Sequence, residues 1–346
     1  MPLSNFIPPV LQLHPTRRCN LRCLHCYSNS APTERDEQDV SRLMGAIADA
    51  AAQGYRVVSI SGGEPLLYSA LPSLLVEARR HGLHTTVTTN GLLLDNRRIQ
   101  LLSGQVDFLA ISLDGAPELH NYIRNAPRAF ETMHKRLDPL RRSGLPFGFL
   151  FTLTHQNISD LGWVAEFSVA EGAELLQVHP LEETGRAQTA LAGSAPTDID
   201  VTLAWLLAQR LKEKFAGRLR IHLDLLDRDA LRTSCFRSCA RTIPASGQCT
   251  QQLADFISPL VIESEGTVVP LQYGFPRAYA LGNLNSISLE NMAHSWFTQP
   301  QSPLETLYER VLYMLCQPAE LPFVNWYESV ARVARETHPT LLPVLE

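Results

Sequence analysis

Two kinds of hydrophobic spacing alternate along roughly the first 180 residues. Short runs rich in apolar and β-branched residues stand at 9–13, 56–60, 84–89, 107–113, 147–153 and 174–178. Each reads as a strand. Between them apolar residues recur at helical spacing, as Val40, Leu43, Met44, Ile47 and Ala51, then Leu71, Leu74, Leu75 and Ala78. Further helices are predicted over 95–102, 130–142 and 159–171, with Gly54, Gly82, Gly144 and Gly172 as stops. Strands alternating with amphipathic helices imply right-handed βαβ units and a parallel sheet. Six units are too few for a closed eight-stranded barrel, which leaves an open doubly wound sheet or a partial barrel.

After Gly193 the pattern changes. Thr197 is a candidate N-cap for a helix whose stripe of Leu203, Leu206, Leu207, Leu211 and Phe215 reads as core-facing. Apolar runs at 260–262 and 267–269 flank Glu263-Ser264-Glu265-Gly266 and predict a β-hairpin. A last helix is expected around 326–336. Division into a core of 1–190 and a helical linker plus C-terminal region of 191–346 follows from this change.

The chemistry-bearing residues fall at the predicted C-terminal strand ends, where both candidate architectures build their sites. Cys19, Cys23 and Cys26 follow the first strand in a Cys-x3-Cys-x2-Cys spacing, with Tyr27 behind them. Three thiolates on one loop can converge on one soft metal centre. A zinc knuckle completed by His25 or His14 is an alternative, as is a disulfide plus one spare thiol. Gly62-Gly63-Glu64-Pro65 ends the second strand, Asn90-Gly91 the third and Ser112-Leu113-Asp114-Gly115 the fourth. Taken singly, these are also ordinary turns: glycines in a βα connection, an Asn-Gly pair, an Asx-type turn at Asp114.

Together these segments resemble the radical SAM superfamily. The resemblance implies a partial (β/α)6 TIM-like barrel with a small α+β C-terminal extension. Cys19, Cys23 and Cys26 would bind three irons of a [4Fe–4S] cluster, leaving the fourth open to the amino and carboxylate groups of S-adenosylmethionine (SAM). Reductive cleavage of SAM would yield a 5′-deoxyadenosyl radical that abstracts hydrogen from a substrate. The same resemblance assigns Tyr27, Gly62, Gly63, Glu64, Pro65, Asn90, Ser112, Asp114 and Arg124 to cofactor binding, Arg124 toward the SAM carboxylate. It singles out no residue for the hydrogen abstraction itself. An exposed surface arginine is the plain alternative for Arg124, and a satisfied core histidine for His179.

Residues 260–296 resemble the SPASM or twitch extension of radical SAM maturases, through 265–270, Leu281-Gly282-Asn283-Leu284 and Trp296. Leu271 stands where those families carry a cluster cysteine. An auxiliary cluster would have to rest on Cys235, Cys239 and Cys249, with Cys316 either a fourth ligand or a core residue of its apolar helical run; otherwise these cysteines are small buried hydrophobes. The resemblance implies a ribosomally made peptide as substrate, for crosslinking or epimerisation. A tetrapyrrole side chain, as in haem d1 synthesis, is the alternative small-molecule substrate. A reductant such as flavodoxin or ferredoxin would serve the cluster. No peptide-binding module precedes residue 10, so a separate recognition protein is expected. From a different class, a metal-binding protein without radical chemistry is a second reading.

Composition narrows the partners. The chain of 346 residues is 45% hydrophobic and 19% charged, with a formal net charge of −5. It has no polybasic run to track phosphates, no membrane-length apolar segment and no secretory signal. Seven cysteines, three of them clustered, suit a reducing compartment, and the cytoplasm is expected.

Overall fold

The protein is described by a computed structural model over residues 8–229, 251–299, 302–317, 319 and 321–338. Seven strands follow one another across a sheet: β1 (Val10–Leu13), β2 (Val57–Ile60), β3 (His84–Thr89), β4 (Phe108–Ser112), β5 (Phe147–Leu153), β6 (Leu175–Pro180) and β7 (Arg220–Leu223). All six pairings between them are parallel. Strand order equals chain order, with no reversal point. A doubly wound sheet would reverse direction at its centre, so the arrangement is that of a partial barrel.

After the two-residue β8 (Leu226–Asp227), the hairpin of β9 (Leu260–Ile262) and β10 (Thr267–Pro270) joins this sheet. β9 pairs parallel with β1, and β10 pairs antiparallel with both β9 and β11 (Gly282–Asn283). β12 (Phe323–Val324) pairs with β8 in a small separate ribbon. The C-terminal ends of β1–β7 and β9 therefore face one side.

Alternation within the strands explains how the sheet presents a site. Leu11, Leu13, Val58, Ile60, Val87, Ile111, Phe149, Phe151, Leu176 and Val178 are fully buried and pack under the helices. The intervening positions include Gln12, Ser59, Thr86, Thr88, Thr152, Gln177 and His179, all half-buried. A period of two sends these to the opposite face, which is polar and partly open.

Local signals set the helices. Asp39 caps Val40–Ala52 through Ser41 and Arg42, and Asp95 caps Asn96–Leu102 through Arg98. Thr197 and Asp200 form a capping box at the start of Asp198–Lys214. The last helix runs Trp326–Thr337. The helix Pro117–Ile123 was not expected; its sequence signal is Pro117 in the first turn with Glu118 beside it. β7 was also missed, although Ile221 and Leu223 alternate inward.

One expectation is corrected. In Asp198–Lys214 the buried apolar residues are Ala204, Ala208 and Leu211, with Phe215 beyond the helix end. Leu203, Leu206 and Leu207 are exposed, Leu206 at 52%. The two alanines allow close approach to β7 and the helix Leu161–Ala170, and so decide which face turns inward. Cys316 caps the end of Pro303–Leu315 and is half-buried, so it is no full core residue. Cys235, Cys239 and Cys249 lie outside the described residues. Among the described residues, no helix is long and apolar enough to cross a membrane.

Candidate functional site

The cysteine loop is fixed from three directions. From β2, the backbone N–H groups of Gly63 and Glu64 donate to the carbonyls of Thr16 and Arg18, at 2.8 and 2.9 Å. This contact needs bare backbone: a Cβ on Gly63 would lie 2.2 Å from the Arg18 carbonyl oxygen, and one on Gly62 (φ +110°) 2.7 Å from that of Thr16. The glycines thus serve the approach of strand end to cysteine loop. Gly63→Ala is expected to lower stability by about 1–3 kcal/mol or more through forced overpacking. A urea or thermal melt beside Ala129→Gly, a helix control, checks it.

From beyond β6, the guanidinium of Arg186 donates to the Cys23 carbonyl at 2.7 Å and the Ser30 carbonyl at 2.9 Å. Its own N–H donates to the Cys26 carbonyl. Gly185 (φ +58°) lies so close that a Cβ would stand 2.2 Å from the Tyr27 carbonyl oxygen. From the end of Pro117–Ile123, the Ile123 carbonyl accepts from Leu24 at 2.8 Å.

Held this way, Cys19 and Cys23 are buried and Cys26 partly so, packed together with Leu21, Leu92 and Ala126. All three are free thiols. Burial pushes the Cys19 thiol up to about 12. It raises Cys23 as well, with Arg124 opposing. Several donors surround the sulfurs: Leu21 N–H stands 3.4 Å from Cys19 Sγ, and an Arg124 nitrogen 3.8 Å from Cys23 Sγ. Among the described residues, no three His, Cys, Asp or Glu side chains close around the place of a single ion.

The other strand ends join this loop. Glu64 is fully buried and accepts from Thr89 Oγ1 (2.8 Å), Asn90 N–H (3.0 Å) and Leu66 N–H (3.2 Å). It ties the ends of β2 and β3 together, and Pro65 starts the turn behind it. Asn90 donates to Asn20 at 2.8 Å, with its amide 4.0 Å from Cys19 Sγ.

Buried Asp114, after β4, is a hub. Arg124 Nε lies 2.6 Å and His25 Nε2 3.2 Å from its carboxylate. Its backbone N–H donates to His120 Nδ1 at 3.1 Å, and its carbonyl accepts from Asn157. Burial alone would raise the Asp114 carboxyl, but Arg124, His25 and His120 outweigh it and hold it well below the usual range. Burial, helped by Arg124, pushes His120 down to about 3, which keeps its Nδ1 an acceptor.

Cys235, Cys239 and Cys249 lie outside the described residues; of the other residues expected at the site, Gly62, Gly63, Glu64, Asn90, Asp114 and Arg124 meet the cysteine loop or a residue tied to it. Ser112 is buried at the end of β4. Tyr27 lies against His14 and Tyr273, its hydroxyl 3.3 Å from Ser61 Oγ. Arg124 is buried on Asp114 and Cys23 and is no surface residue. His179 pairs with Asp224, which also holds Gln177 and His222. Leu271, where the resemblance expects a cysteine, is buried with a left-handed backbone (φ +68°). Sequence reasoning singled out His25 only as a zinc candidate and Gly185-Arg186-Ala187 only as a family-like segment; it missed the contacts of His25 with Asp114, Asn20 with Asn90 and Arg186 with Cys23, because each depends on a partner distant in the chain.

Residues 13–168 match the family description "Radical SAM superfamily". The chain is 31% identical over 180 residues to the Fe-coproporphyrin III synthase of Methanosarcina barkeri, covering 51% of this chain and 45% of the relative. It is 26% identical over 222 residues to the sporulation killing factor maturation protein SkfB of Bacillus subtilis, covering 63% and 53%. The chain thus spans about half the length of the curated relatives it matches. Its fold is similar to Streptococcus suis SuiB bound to precursor peptide SuiA, with a TM-score of 0.64, 16% identity and coverage of 85% and 65%.

Proposed function

We propose that Cys19, Cys23 and Cys26 hold a [4Fe–4S] cluster, as the match of residues 13–168 to the radical SAM superfamily suggests. The observation that carries this reading is the clustering of three free thiols on a loop gripped by Gly63, Arg186 and Ile123. A cube takes one thiolate per iron, so its three ligands need not crowd around a single ion. Half-buried Cys26 leaves the loop reachable from solvent. When bound, the cluster supplies the electron that cleaves SAM to a 5′-deoxyadenosyl radical.

The residues around the loop are assigned to SAM: Tyr27, Gly62, Gly63, Glu64, Pro65, Asn90, Ser112, Asp114 and Arg124. Glu64 and Asp114 act by orientation, since their carboxylates are already spent on protein donors. Residues 1–190 are the catalytic core. The SPASM-like remainder covers the mouth and shapes the substrate pocket, in a cytoplasmic enzyme served by a flavodoxin or ferredoxin and a peptide-recognition protein.

A ribosomally made peptide is the substrate this reading favours, supported by the likeness to SkfB and the SuiB–SuiA fold. A tetrapyrrole is the second reading, favoured by the 31% identity to Fe-coproporphyrin III synthase. The reconstituted, dithionite-reduced protein is expected to form 5′-deoxyadenosine from SAM. A colourless protein that leaves SAM intact would sink the proposal.

A further inference from the structure

Five buried side-chain nitrogen or oxygen atoms without a hydrogen-bond partner among the described residues belong to segments that come together near Tyr273 and Glu182. They are both ring nitrogens of His14, the Thr184 hydroxyl, Gln272 Oε1 and Glu328 Oε2. Buried polar groups are nearly always paired, so a shared surplus points to a polar occupant.

Four separate segments deliver these groups. His14 follows β1 and is 1% exposed. Its ring lies 4.9 Å from that of Tyr273 and 5.7 Å from that of Tyr27. Thr184 follows β6 and precedes Gly185, which rests on Tyr27. Gln272 and Tyr273 come from the segment after β10. That segment doubles back at Leu271, whose left-handed backbone is unusual for a bulky residue and marks a position held by its surroundings. Glu328 lies in the first turn of Trp326–Thr337. Glu182, two residues past β6, stands among them, facing Gln272, Glu328, Arg335 and Tyr327.

Extending the peptide reading above, we propose that Glu182, Glu328, Gln272 and His14 form a substrate subsite for a nitrogen donor, a lysine or arginine side chain of a peptide. The unpaired atoms carry this assignment. Gln272 Oε1 and Glu328 Oε2 can only accept, and neutral His14 and Thr184 each supply an acceptor as well. Arg335 and Arg332 are the cations acting on Glu328; the Arg335 guanidinium is engaged with Glu328 at 2.9 Å and that of Arg332 with Glu336 at 2.8 Å. A carboxylate-rich ligand would meet two glutamates and few donors; a cation would meet four acceptors. Burial, with the Glu328 charge adding, pushes the Glu182 carboxyl up to about 7, and burial pushes His14 down to about 3. A bound cation therefore favours ionised Glu182, and binding at pH 7 releases protons.

The test uses reconstituted full-length protein and blocked fluorescent pentaglycines with a central lysine, glutamine or glutamate, with coproporphyrin III as the carboxylate-rich probe. The lysine peptide is expected to bind at least about tenfold tighter than the glutamate peptide. Its calorimetric heat in two buffers should report proton release at pH 7. Glu182→Gln should abolish that release and cut the preference at least threefold, while SAM binding stays unchanged. Thr184→Val, a variant that keeps both carboxylates, should weaken the lysine peptide while leaving its proton release in place. Equal binding of the three peptides, undetectable binding of all three, tighter binding of coproporphyrin III, or a preference intact in Glu182→Gln each overturn the subsite. SAM cleavage by the wild-type protein is scored separately, so a failed subsite with intact cleavage leaves the radical SAM reading standing.

Discussion

Cys23→Ala is expected to leave reconstituted protein without its brown colour and to lower 5′-deoxyadenosine formation by more than about 100-fold. Substituting a partner one step behind a metal ligand typically costs about 10- to 100-fold, and a ligand itself should cost more. Cys23 is the informative choice among the three. Its backbone carbonyl is gripped by Arg186 and its sulfur faces Arg124, so alanine removes the sulfur without freeing the loop. The far-ultraviolet spectrum should therefore be unchanged. Iron and sulfide assays, with chromatography of the nucleoside product, check the outcome; a variant that keeps iron and rate shows that Cys23 is no ligand. Counting iron after all three cysteines are replaced also addresses Cys235, Cys239 and Cys249. About four irons remaining means a second cube, and none means a single site.

The parallel core was readable because its signals are local. Strand runs alternate with helical spacing, and each motif stands at a strand end. Val57–Ile60, His84–Thr89 and Phe147–Leu153 fall within or on the expected runs. What was hidden is tertiary. Nothing in residues 203–215 reveals that Ala204 and Ala208 outrank Leu203, Leu206 and Leu207, since close approach to β7 depends on a strand that local pattern did not expose. The parallel pairing of β9 with β1, across about 250 residues of chain, has no local mark either. At the site, the cysteines, Gly62-Gly63 and Asp114 were legible as motifs. The partners that give them meaning were not: Arg186 reaches Cys23 from 163 positions away, and His25 reaches Asp114 from 89. The glycines also carry a constraint of the fold, because the carbonyls of Thr16 and Arg18 stand where a Cβ would lie.

Asp114→Asn is expected to destabilise the fold by about 3–5 kcal/mol, the range for breaking a buried ion pair by neutralising one member. Asparagine is nearly the same size, so packing is preserved and the loss is electrostatic. Arg124, buried against Cys23, would keep its charge with no carboxylate beside it, and His25 would lose its tether. The pH dependence identifies the cause. The Asp114 carboxyl is depressed in the folded protein, so its stabilisation is complete above the unfolded value of about 4 and is lost as pH falls toward the folded one. The gap between wild type and variant should stay constant from pH 8 to pH 5 and shrink only below about pH 4. His120 and His14, both pushed down to about 3 by burial, weaken the two proteins alike as pH falls below about 6.5, where their unfolded forms take up protons. Subtracting the two urea-melt profiles removes that shared slope and leaves the contribution of Asp114. A gap that closes between pH 7 and pH 6 would assign the loss to a histidine, and a gap below about 1 kcal/mol would mean that Arg124 finds another anion when Asp114 is neutral.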